Sequence, residues 1–278
     1  MASHLSTIET TYDQRAANYD KEQNFHPLQH ADYIKWMSLT PGLKVLDLAC
    51  GTGGITIPAK KAVGPTGKVV GVDISSASLA IAREKGLEEG LDITFIHHDI
   101  GNLTGVNGIA EGEFDVITCA AAFVLLEDPE AAVKNWAKLL KVGGRVIIDV
   151  LTKDTMVTGY VIDTVAKTMR IPLVYDRTRF DSMEKVQTLL SDAGLDPSNT
   201  FLCDSYKENE IQGNKAGEIF DDLVDKGGWA KAIYAGFEDP VVRAAAKELF
   251  CEKLKSIEVA DGKVREQTQF FIGIGKKL

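Results

Sequence analysis

The sequence predicts an α/β fold built on a doubly wound, mostly parallel sheet. Short apolar runs typical of buried strands alternate with segments of helical periodicity along the first half of the 278-residue chain. The first apolar run leads through a glycine-rich turn into a helix. Strand, tight turn and helix open a nucleotide-binding βαβ unit, because glycine lets a ligand lie against bare backbone. The chain is therefore predicted to bind a nucleotide-like ligand at the carboxyl ends of its strands.

Residues 1–40 are predicted to form two helices ahead of the sheet. Pro27 suits the first turn of a helix and is expected to open the second one, which runs through Met37. The segment Thr40-Pro41-Gly42 then ends that helix. In the first helix, apolar and aromatic side chains recur at roughly helical spacing, at Leu5, Ile8, Tyr12 and Tyr19.

The first strand is predicted at Val45–Leu48, and the turn Gly51–Gly54 leads into a helix over 55–63. The apolar run indicates a strand that is covered on both faces. A dinucleotide-binding turn would require a small residue where Thr56 stands, so the match to that pattern is poor. A dinucleotide-dependent oxidoreductase stays open as an alternative.

The second strand, KVVGVD, ends on Asp73, which lies 22 residues after Gly51. A carboxylate about 20 residues beyond such a turn accepts hydrogen bonds from a ribose in nucleotide-binding units. Aspartate suits this role because its two oxygens can face two adjacent hydroxyl groups. Ser75 or Ser76 is predicted to cap the next helix, which runs to about Glu89.

The third and fourth strands are predicted at ITFIHH and at FDVITCA, Phe114–Ala120. Asp99 and Ile100 directly follow the third strand and would lie at the same edge of the sheet as Asp73.

A helix is predicted to start at Asp128 and Pro129, with Trp136 and Leu140 among its inward side chains. Gly143-Gly144 is expected to end this helix and to open the fifth strand, RVIIDV.

The pattern loosens beyond Leu151, since residues 152–177 show little periodicity. A helix over 181–193 and a strand, TFLCDSY, are predicted to resume the core, and Gln267–Gly275 is expected to be an antiparallel closing strand. The insertion between these two strands is predicted to be helical, with its clearest helix starting at Asp239-Pro240.

Composition limits the classes of partner. A net charge of −9 and a pI near 5.1 disfavour nucleic acid, whose binders usually carry a basic surface. The four cysteines form no CxxC pair, and His97 and His98 point to opposite faces of a strand, so no metal site is predicted. The absence of an apolar signal segment or membrane span predicts a cytoplasmic protein. The oligomeric state is left open, with a monomer as the expectation.

The pattern D-x-A-x-G-x-G, from Asp47 to Gly53, resembles the first motif of class I S-adenosylmethionine-dependent methyltransferases. This resemblance implies a Rossmann-like fold with a seven-stranded sheet and helical cap insertions. It also implies S-adenosylmethionine as the cofactor, with Asp99 bonding the adenine amino group and Ile100 packing on the ring. The implied cofactor-binding residues are Tyr12, Tyr19, Asp47, Ala49, Gly51, Thr52, Gly53, Asp73, Ile74, Asp99, Ile100, Ala120 and Phe123.

The segment TYDQRAANYD resembles the N-terminal tyrosine-containing helix that folds over the cofactor in many small-molecule methyltransferases. The resemblance thus implies a helical lid over 1–40 and a methyltransferase domain over 41–278. Cap insertions are expected near 152–177 and 207–260.

Several kinds of methyl acceptor are disfavoured. Enzymes that methylate amino groups of nucleobases or amides carry [DNS]-P-P-[YF] after the fourth strand, where this chain reads AAAF. Pyrimidine C5 methylation uses a cysteine after proline, and none of the four cysteines follows a proline. A metal-dependent catechol enzyme needs carboxylates near strands four and five. Asp115 stands at the start of its strand, away from the expected ligand edge, but Asp149 keeps this alternative open.

No general base is evident, which favours an acceptor that ionises unaided: a thiol, a phenol or a stabilised carbanion. The chain resembles fungal secondary-metabolism methyltransferases, which implies S-methylation of a small apolar thiol or dithiol. An O- or C-methyltransferase of a secondary metabolite or quinone precursor is the nearest alternative, and a scaffold that has lost methylation is another. The candidate acceptor-binding residues are Phe25, His26, His30 and Trp229.

Overall fold

The computed structural model describes residues 4–21, 25–173, 176–225, 234–259 and 261–278. The chain divides into two compact units. The first unit consists of Met1–Val150, Met183–Phe201 and Phe271–Leu278, and the second of Leu151–Ser182 and Leu202–Phe270.

Helices and strands alternate through most of the chain. In the first part they are α1 (His4–Tyr19), α2 (His26–Met37), β1 (Lys44–Leu48), α3 (Thr56–Val63), β2 (Lys68–Asp73), α4 (Ser76–Glu88), β3 (Thr94–His97), β4 (Phe114–Cys119), α5 (Pro129–Leu139) and β5 (Leu140–Leu151). Then follow α6 (Val157–Thr168), α7 (Met183–Asp192), β6 (Leu195–Asp196), β7 (Phe201–Leu202), β8 (Glu208–Gln212), α8 (Ala216–Asp225), α9 (Pro240–Ser256), β9 (Lys263–Gln267) and β10 (Phe270–Lys277).

The first unit is organised around one mixed sheet with the strand order β3-β2-β1-β4-β5-β10-β6, and β7 pairs with β10. Strand β1 runs parallel to both β2 and β4, so the order reverses at β1. The side chains of Val45, Leu46 and Leu48 are fully buried, as expected for a central strand covered on both faces. This reversal is where ligands bind in open α/β sheets, just outside the carboxyl ends of the strands.

The helix starts agree with the predicted caps. The Ser75 hydroxyl accepts a hydrogen bond from the backbone N–H of Ser78, and the Asp128 carboxylate accepts one from Ala131 at the start of α5. Pro27 lies in the first turn of α2, which ends at Met37 as predicted. Short polar side chains at these positions satisfy donors that the first helical turn leaves unpaired.

The sheet has eight strands, and the prediction of seven is wrong. The expected strand TFLCDSY is reduced to the two residues of β7, while β6 pairs separately with β10. A turn explains the division, because Asp196 accepts hydrogen bonds from Ser198 and Pro197 cannot donate to a strand ladder. The expected strand Gln267–Gly275 is likewise two strands, β9 and β10, separated at Thr268 and Gln269.

Strand β5 begins earlier than predicted. Leu140 is its first residue and not part of the preceding helix, and Gly143-Gly144 lies inside the strand. The register of β4 and β5 shifts between Phe114 and Val116, beside this glycine pair. Gly143 has a φ of +81°, which a β-bulge favours, so the glycines bend a strand where the sequence suggested a start.

The second unit has its own apolar core, made by side chains from α6, α8 and α9, including Ile162, Phe220 and Phe250. Helix α6 lies in the segment over 152–177, where a helical cap insertion was expected although the sequence shows little periodicity. Its Gly159 and Asp163 are buried together with its apolar residues, so the sequence shows no clean amphipathic stripe. Asp163 forms an ion pair of 2.8 Å with the equally buried Arg177.

The insertion over 207–260 is not purely helical. Strands β8 and β9 form an antiparallel two-stranded sheet. Strand β8 reads ENEIQ, so its residues lack the alternation of apolar and polar side chains by which a half-buried strand is identified. None of the helices among the described residues has the length and apolar character needed to cross a membrane.

Candidate functional site

Two adjoining cavities open at the carboxyl ends of β1, β2 and β4. The larger has a volume of about 280 Å³, and its walls include Leu5, Ile8 and Tyr12 from α1. The smaller lies beside the glycine-rich turn and is bordered by His30 of α2. Both cavities are lined by Tyr19, Ala49, Gly51, Ala120 and Ala121, so they lie side by side at one edge of the sheet.

The backbone turns sharply where β1 and β4 reach this site. Ala49 has a φ of +54° and Ala121 a φ of +53°, values that are uncommon for residues other than glycine. Such conformations persist only where surrounding contacts hold them, and they concentrate at functional sites. Both residues line the cavities, so the two neighbouring strand ends are shaped to leave space there.

Asp73 is held by two backbone donors at the end of β2. Its Oδ2 accepts a hydrogen bond of 2.7 Å from Gly51 N–H, and its Oδ1 accepts one of 2.8 Å from Ser75 N–H. Burial raises the pKa of this carboxyl, and the two N–H groups oppose that effect. Because each carboxylate oxygen has a second lone pair, Asp73 can still accept hydrogen bonds from two ligand hydroxyls in the larger cavity.

The three glycines of the turn have different surroundings. A Cβ atom at Gly51 would meet no protein atom within 4 Å, and it would point into ligand space at a φ of +53°. A Cβ at Gly53 would contact Ile57 at 3.0 Å, so this glycine allows close packing of helices and does not line the site. A Cβ at Gly54 would lie 2.4 Å from the imidazole ring of His30.

Asp47 lies below the turn, at the wall of the smaller cavity. Its two oxygens accept hydrogen bonds from the hydroxyls of Thr56 (2.5 Å) and Thr118 (2.8 Å). Burial raises the pKa of Asp47 to about 6, although both hydroxyls act in the opposite direction. With both oxygens bonded inside the protein, Asp47 joins β1, α3 and β4, which supports the turn from beneath.

Helix α1 crosses the larger cavity and is fixed along its length. At its start, His4 is hydrogen-bonded to the carbonyl oxygen of Leu125 at 2.8 Å. In the middle, Asp13 accepts hydrogen bonds from the Ser75 hydroxyl (2.7 Å) and from Ala77 N–H (3.1 Å) at the start of α4.

Just beyond the last residue of α1, Asp20 accepts a hydrogen bond of 2.6 Å from the Thr52 hydroxyl. It also forms an ion pair of 2.6 Å with Lys85. These contacts join the helix to the segments that follow β4, β2 and β1, so it lies as a cover over the predicted binding edge.

His30 is the residue of α2 that lines the smaller cavity. Its ring stacks on His26 at a centroid distance of 6.1 Å, and His26 stacks in turn on Tyr19 at 5.6 Å. Burial lowers the pKa of His30 to about 4, with a further lowering by His26 and an opposing effect of Asp20. The imidazole is therefore neutral at physiological pH and offers one donor and one acceptor nitrogen.

Most of the predicted cofactor-binding residues line the two cavities. In the larger cavity these are Tyr12, Tyr19, Ala49, Gly51, Asp73, Ile74, Asp99, Ile100 and Ala120, and the smaller adds Asp47 and Thr52. Phe123 does not line either one, because it is only 2% exposed and packs edge-on against Trp136. Gly53 does not line either cavity, because it packs against α3 and α4.

Of the predicted acceptor-binding residues, His30 borders a cavity. His26 lies behind it in the ring stack, and Phe25 packs on His26 at 4.4 Å. Trp229 lies outside the described residues.

Sequence reasoning missed the polar residues that fix α1, above all Asp13 and Asp20. Isolated acidic residues on a helix carry no periodic signal, and their partners lie more than thirty positions away. It also missed Ala121 as a residue of unusual conformation, since alanine normally predicts regular backbone. The described residues bring together no group of three or more histidine, cysteine, aspartate or glutamate side chains suited to a metal ion.

Comparison with known proteins supports this arrangement. Residues 45–144 match the family described as a methyltransferase domain. The ubiquinone/menaquinone biosynthesis C-methyltransferase UbiE of Bdellovibrio bacteriovorus is 36% identical over 146 residues, 51% of this chain and 60% of that protein. The demethylmenaquinone methyltransferase of Lactococcus lactis is 36% identical over 144 residues, 51% of this chain and 55% of that protein. The matches thus span little more than half the length of either relative.

The fold is shared with solved structures at low sequence identity. Phosphoethanolamine N-methyltransferase 2 of Haemonchus contortus, solved with phosphomonomethylethanolamine and S-adenosylhomocysteine, aligns with a TM-score of 0.57 at 17% identity. The alignment covers 100% of this chain and 60% of that one. Residues 45–144 therefore match a methyltransferase domain, and the chain shares the fold of this solved methyltransferase.

Proposed function

We propose that the protein transfers a methyl group from S-adenosylmethionine to a small, largely apolar acceptor that ionises without a strong base from the protein. A thiol is the acceptor that we place first. The observation that carries this choice is the neutral His30 beside the glycine-rich turn, whose lowered pKa makes it a weak proton acceptor.

The residues of the site fit the cofactor. Asp73 would accept hydrogen bonds from the ribose hydroxyls, and Asp99 and Ile100 would hold the adenine ring in the larger cavity. Gly51 leaves backbone open to the ligand because no side chain fills the space next to it. The part of the ligand beyond the ribose would pass over Ala49 and Gly51 toward the smaller cavity, which these residues share.

When bound, S-adenosylmethionine supplies a methyl group that its sulfonium charge makes electrophilic. The protein's task is then to orient the acceptor in line with that group and to exclude water, and good orientation alone accelerates such reactions strongly. Helix α1 excludes water by covering the cavity with Leu5, Ile8 and Tyr12. The neutral imidazole of His30 would not repel a sulfonium held at the smaller cavity, as a charged histidine would.

The acceptor's own acidity decides how far a base is needed. A thiol with a pKa near 8.5 supplies a few per cent of thiolate at neutral pH, and the thiolate is strongly nucleophilic. An alcohol would require a dedicated base, and a group with a pKa of about 4 is a poor one. The resemblance of TYDQRAANYD and LDLACGTGG to a fungal enzyme that methylates both thiols of reduced gliotoxin supports the same choice.

Carbon is the second candidate acceptor atom. Two relatives that are each 36% identical are named a ubiquinone/menaquinone biosynthesis C-methyltransferase and a demethylmenaquinone methyltransferase. An electron-rich hydroquinone ring also ionises through an acidic hydroxyl, so it satisfies the same condition on the acceptor.

The test is to offer the purified protein methyl-labelled S-adenosylmethionine with a matched set of bicyclic acceptors. The set contains a reduced dithiol, a monothiol, a hydroquinone, an alcohol and an amine. We expect label on sulfur, with two methyl groups added in succession to the dithiol. Label on ring carbon instead would select the second candidate. Tight binding of NADPH without any transfer would indicate an oxidoreductase, and cofactor binding without transfer a scaffold.

A further inference from the structure

Asp149 is a buried carboxylate at the carboxyl end of β5 for which cofactor binding gives no role. Its side chain is 4% exposed and lies beneath the site, next to the strand end of β4. A single oxygen, Oδ1, accepts two hydrogen bonds. One comes from the Tyr33 hydroxyl at 2.6 Å and the other from the backbone N–H of Ala121 at 2.7 Å.

The bond to Ala121 controls one wall of the site. Ala121 has a positive φ and lines both cavities, so a contact is required that holds this backbone in place. The Asp149 carboxylate supplies that contact from a neighbouring parallel strand. Without it, the residue could relax toward an ordinary conformation and move Ala120 and Ala121 relative to the bound cofactor.

The bond to Tyr33 controls the opposite wall. Tyr33 is completely buried on α2, and its hydroxyl also donates to the carbonyl oxygen of Cys119 at 3.1 Å. His30 lies three residues earlier on the same helix, so the two side chains share one face. The contacts of Tyr33 with β4 and β5 therefore fix the position of α2, and with it the position of the His30 ring at the smaller cavity.

Gln29 completes the buried contacts on this side of α2. Its side chain is fully buried, and its amide lowers the pKa of the Asp149 carboxyl without forming a hydrogen bond of normal geometry. Burial is the larger effect and raises the pKa of Asp149. The hydrogen bonds from Tyr33 and Ala121 act in the opposite direction and stabilise the buried carboxylate.

We propose that Asp149 is a positioning residue for methyl transfer. It holds Ala121, which lines the smaller cavity, directly, and it holds His30, which lines the same cavity, through Tyr33. This inference rests on the proposed function, since it assumes that the space between those walls receives the acceptor. It extends that function by naming residues that never touch a ligand and still determine how the acceptor is aligned.

Two substitutions test the proposal and a third serves as rescue. Asp149→Leu removes both hydrogen bonds of Asp149, and Tyr33→Phe removes the one from α2 together with the Tyr33 bond to Cys119. Asp149→Asn keeps an oxygen at Oδ1 that can accept both. We expect kcat to fall about 10- to 100-fold in the Leu and Phe variants, as small misplacements of reacting groups cause. In Asp149→Asn the loss should be within about threefold, and in the Leu and Phe variants S-adenosylhomocysteine affinity should fall by less than kcat does.

Asp115→Leu is the matched control. Asp115 also accepts a hydrogen bond from a backbone N–H, that of Lys44 at 2.7 Å, but it lies at the opposite end of β4. This variant should lose stability while the kcat of the folded protein stays unchanged. A merely structural role for Asp149 predicts the same outcome for Asp149→Leu, and that result would overturn the proposal.

A readout that needs no acceptor separates this inference from the proposed function. Amide hydrogen exchange at Ala121 should change in Asp149→Leu, and the ring resonances of His30 should change in both Asp149→Leu and Tyr33→Phe. Both signals should stay close to wild type in Asp149→Asn. Wild-type protein that transfers no label while these signals change would refute the function and leave the positioning intact. Unchanged signals with unchanged kcat would refute the positioning and leave the function intact.

Discussion

The Ser75 hydroxyl accepts a hydrogen bond from Ser78 N–H and donates one of 2.7 Å to Asp13. One oxygen atom thus caps α4 and holds the covering helix α1. Because Ser75 directly follows the segment that would bind the ribose, α1 is fastened beside the proposed ligand site.

Replacing Asp13 by alanine should loosen this cover. The variant loses the hydrogen bonds from Ser75 and from Ala77 N–H, so we expect S-adenosylhomocysteine to dissociate about 3- to 10-fold faster. Stopped-flow displacement measures that rate. Asp32→Ala is the control, because Asp32 forms only an exposed ion pair with Lys35 on α2. Equal dissociation rates in both variants would argue that α1 does not act as a cover.

Deleting residues 1–20 removes the cover altogether. The core sheet contains none of these residues, so we expect the truncated protein to stay folded, with a circular dichroism spectrum reduced only by the helical signal of α1, and to lose methyl transfer. Normal kinetics in the truncated protein would reject a lid function for this segment.

A pair of glycine substitutions should separate ligand contact from backbone strain. Gly51 and Gly90 both have positive φ, at +53° and +65°, and a Cβ at either would meet no protein atom within 4 Å. Alanine should therefore cost each position a similar free energy of unfolding, about 1–2 kcal/mol. Only Gly51→Ala should also weaken S-adenosylhomocysteine binding in calorimetry, because its methyl group would project into the cavity. Equal affinities in the two variants would place the ligand elsewhere.

Asp73→Ala should weaken binding of S-adenosylmethionine by about 1.5–3 kcal/mol, as expected for hydrogen bonds to a charged group. This corresponds to roughly a 10- to 150-fold increase in Kd. Asp196→Ala is the matched control, since Asp196 accepts a bond from the N–H two residues later in the same way as Asp73. Unchanged affinity in a folded Asp73→Ala protein would contradict the ribose assignment.

His30 should stay neutral until the pH approaches 4, against an ordinary pKa of 6.5. As the pH falls below 6.5, the unfolded chain takes up this proton first, so the folded state loses stability between about pH 6.5 and 4. Across this range the wild type should lose on the order of 3 kcal/mol relative to His30→Asn, as urea unfolding of both proteins at several pH values would show.

Two neighbours shift the pKa of His30 in opposite directions, so their substitutions test the direction of each effect. His26 lowers the pKa of His30 and Asp20 raises it. In an NMR titration, His26→Ala should therefore raise the His30 pKa, and Asp20→Asn should lower it further. A His30 that titrates near 6.5 in wild type would show that its ring is not desolvated.

The parallel part of the sheet could be predicted because local signals and tertiary structure agree there. Apart from Asp47, the run Val45–Leu48 is apolar, and its side chains are buried on both faces of the sheet. Likewise Ser75, Asp128 and Asp239 satisfy helix N–H groups through short-range bonds that the sequence itself specifies. The alternation of these signals was enough to place Asp73 and Asp99 at one edge.

The other features depend on contacts between distant positions. Strand β8 is held by pairing with β9, and its own residues give no alternating pattern. The positive φ of Ala121 depends on Asp149, and the position of α1 depends on Asp13 and Asp20. Each of these is a pairwise relationship that only the folded chain reveals.

The contact between Gly54 and His30 changes how the run GTGG is to be interpreted. Its first glycine borders ligand space, whereas its last makes room for an imidazole from another helix. Gly54→Ala would therefore displace His30 and alter which acceptor is methylated, although the position looks like part of a nucleotide signature. Shortening the opposing side chain in a Gly54→Ala, His30→Ala double variant would relieve the collision. Under the proposed function, the four residues GTGG would thus serve both cofactor binding, through Gly51, and acceptor selection, through Gly54 and His30. A substitution that suits one of these roles would therefore be limited by the other.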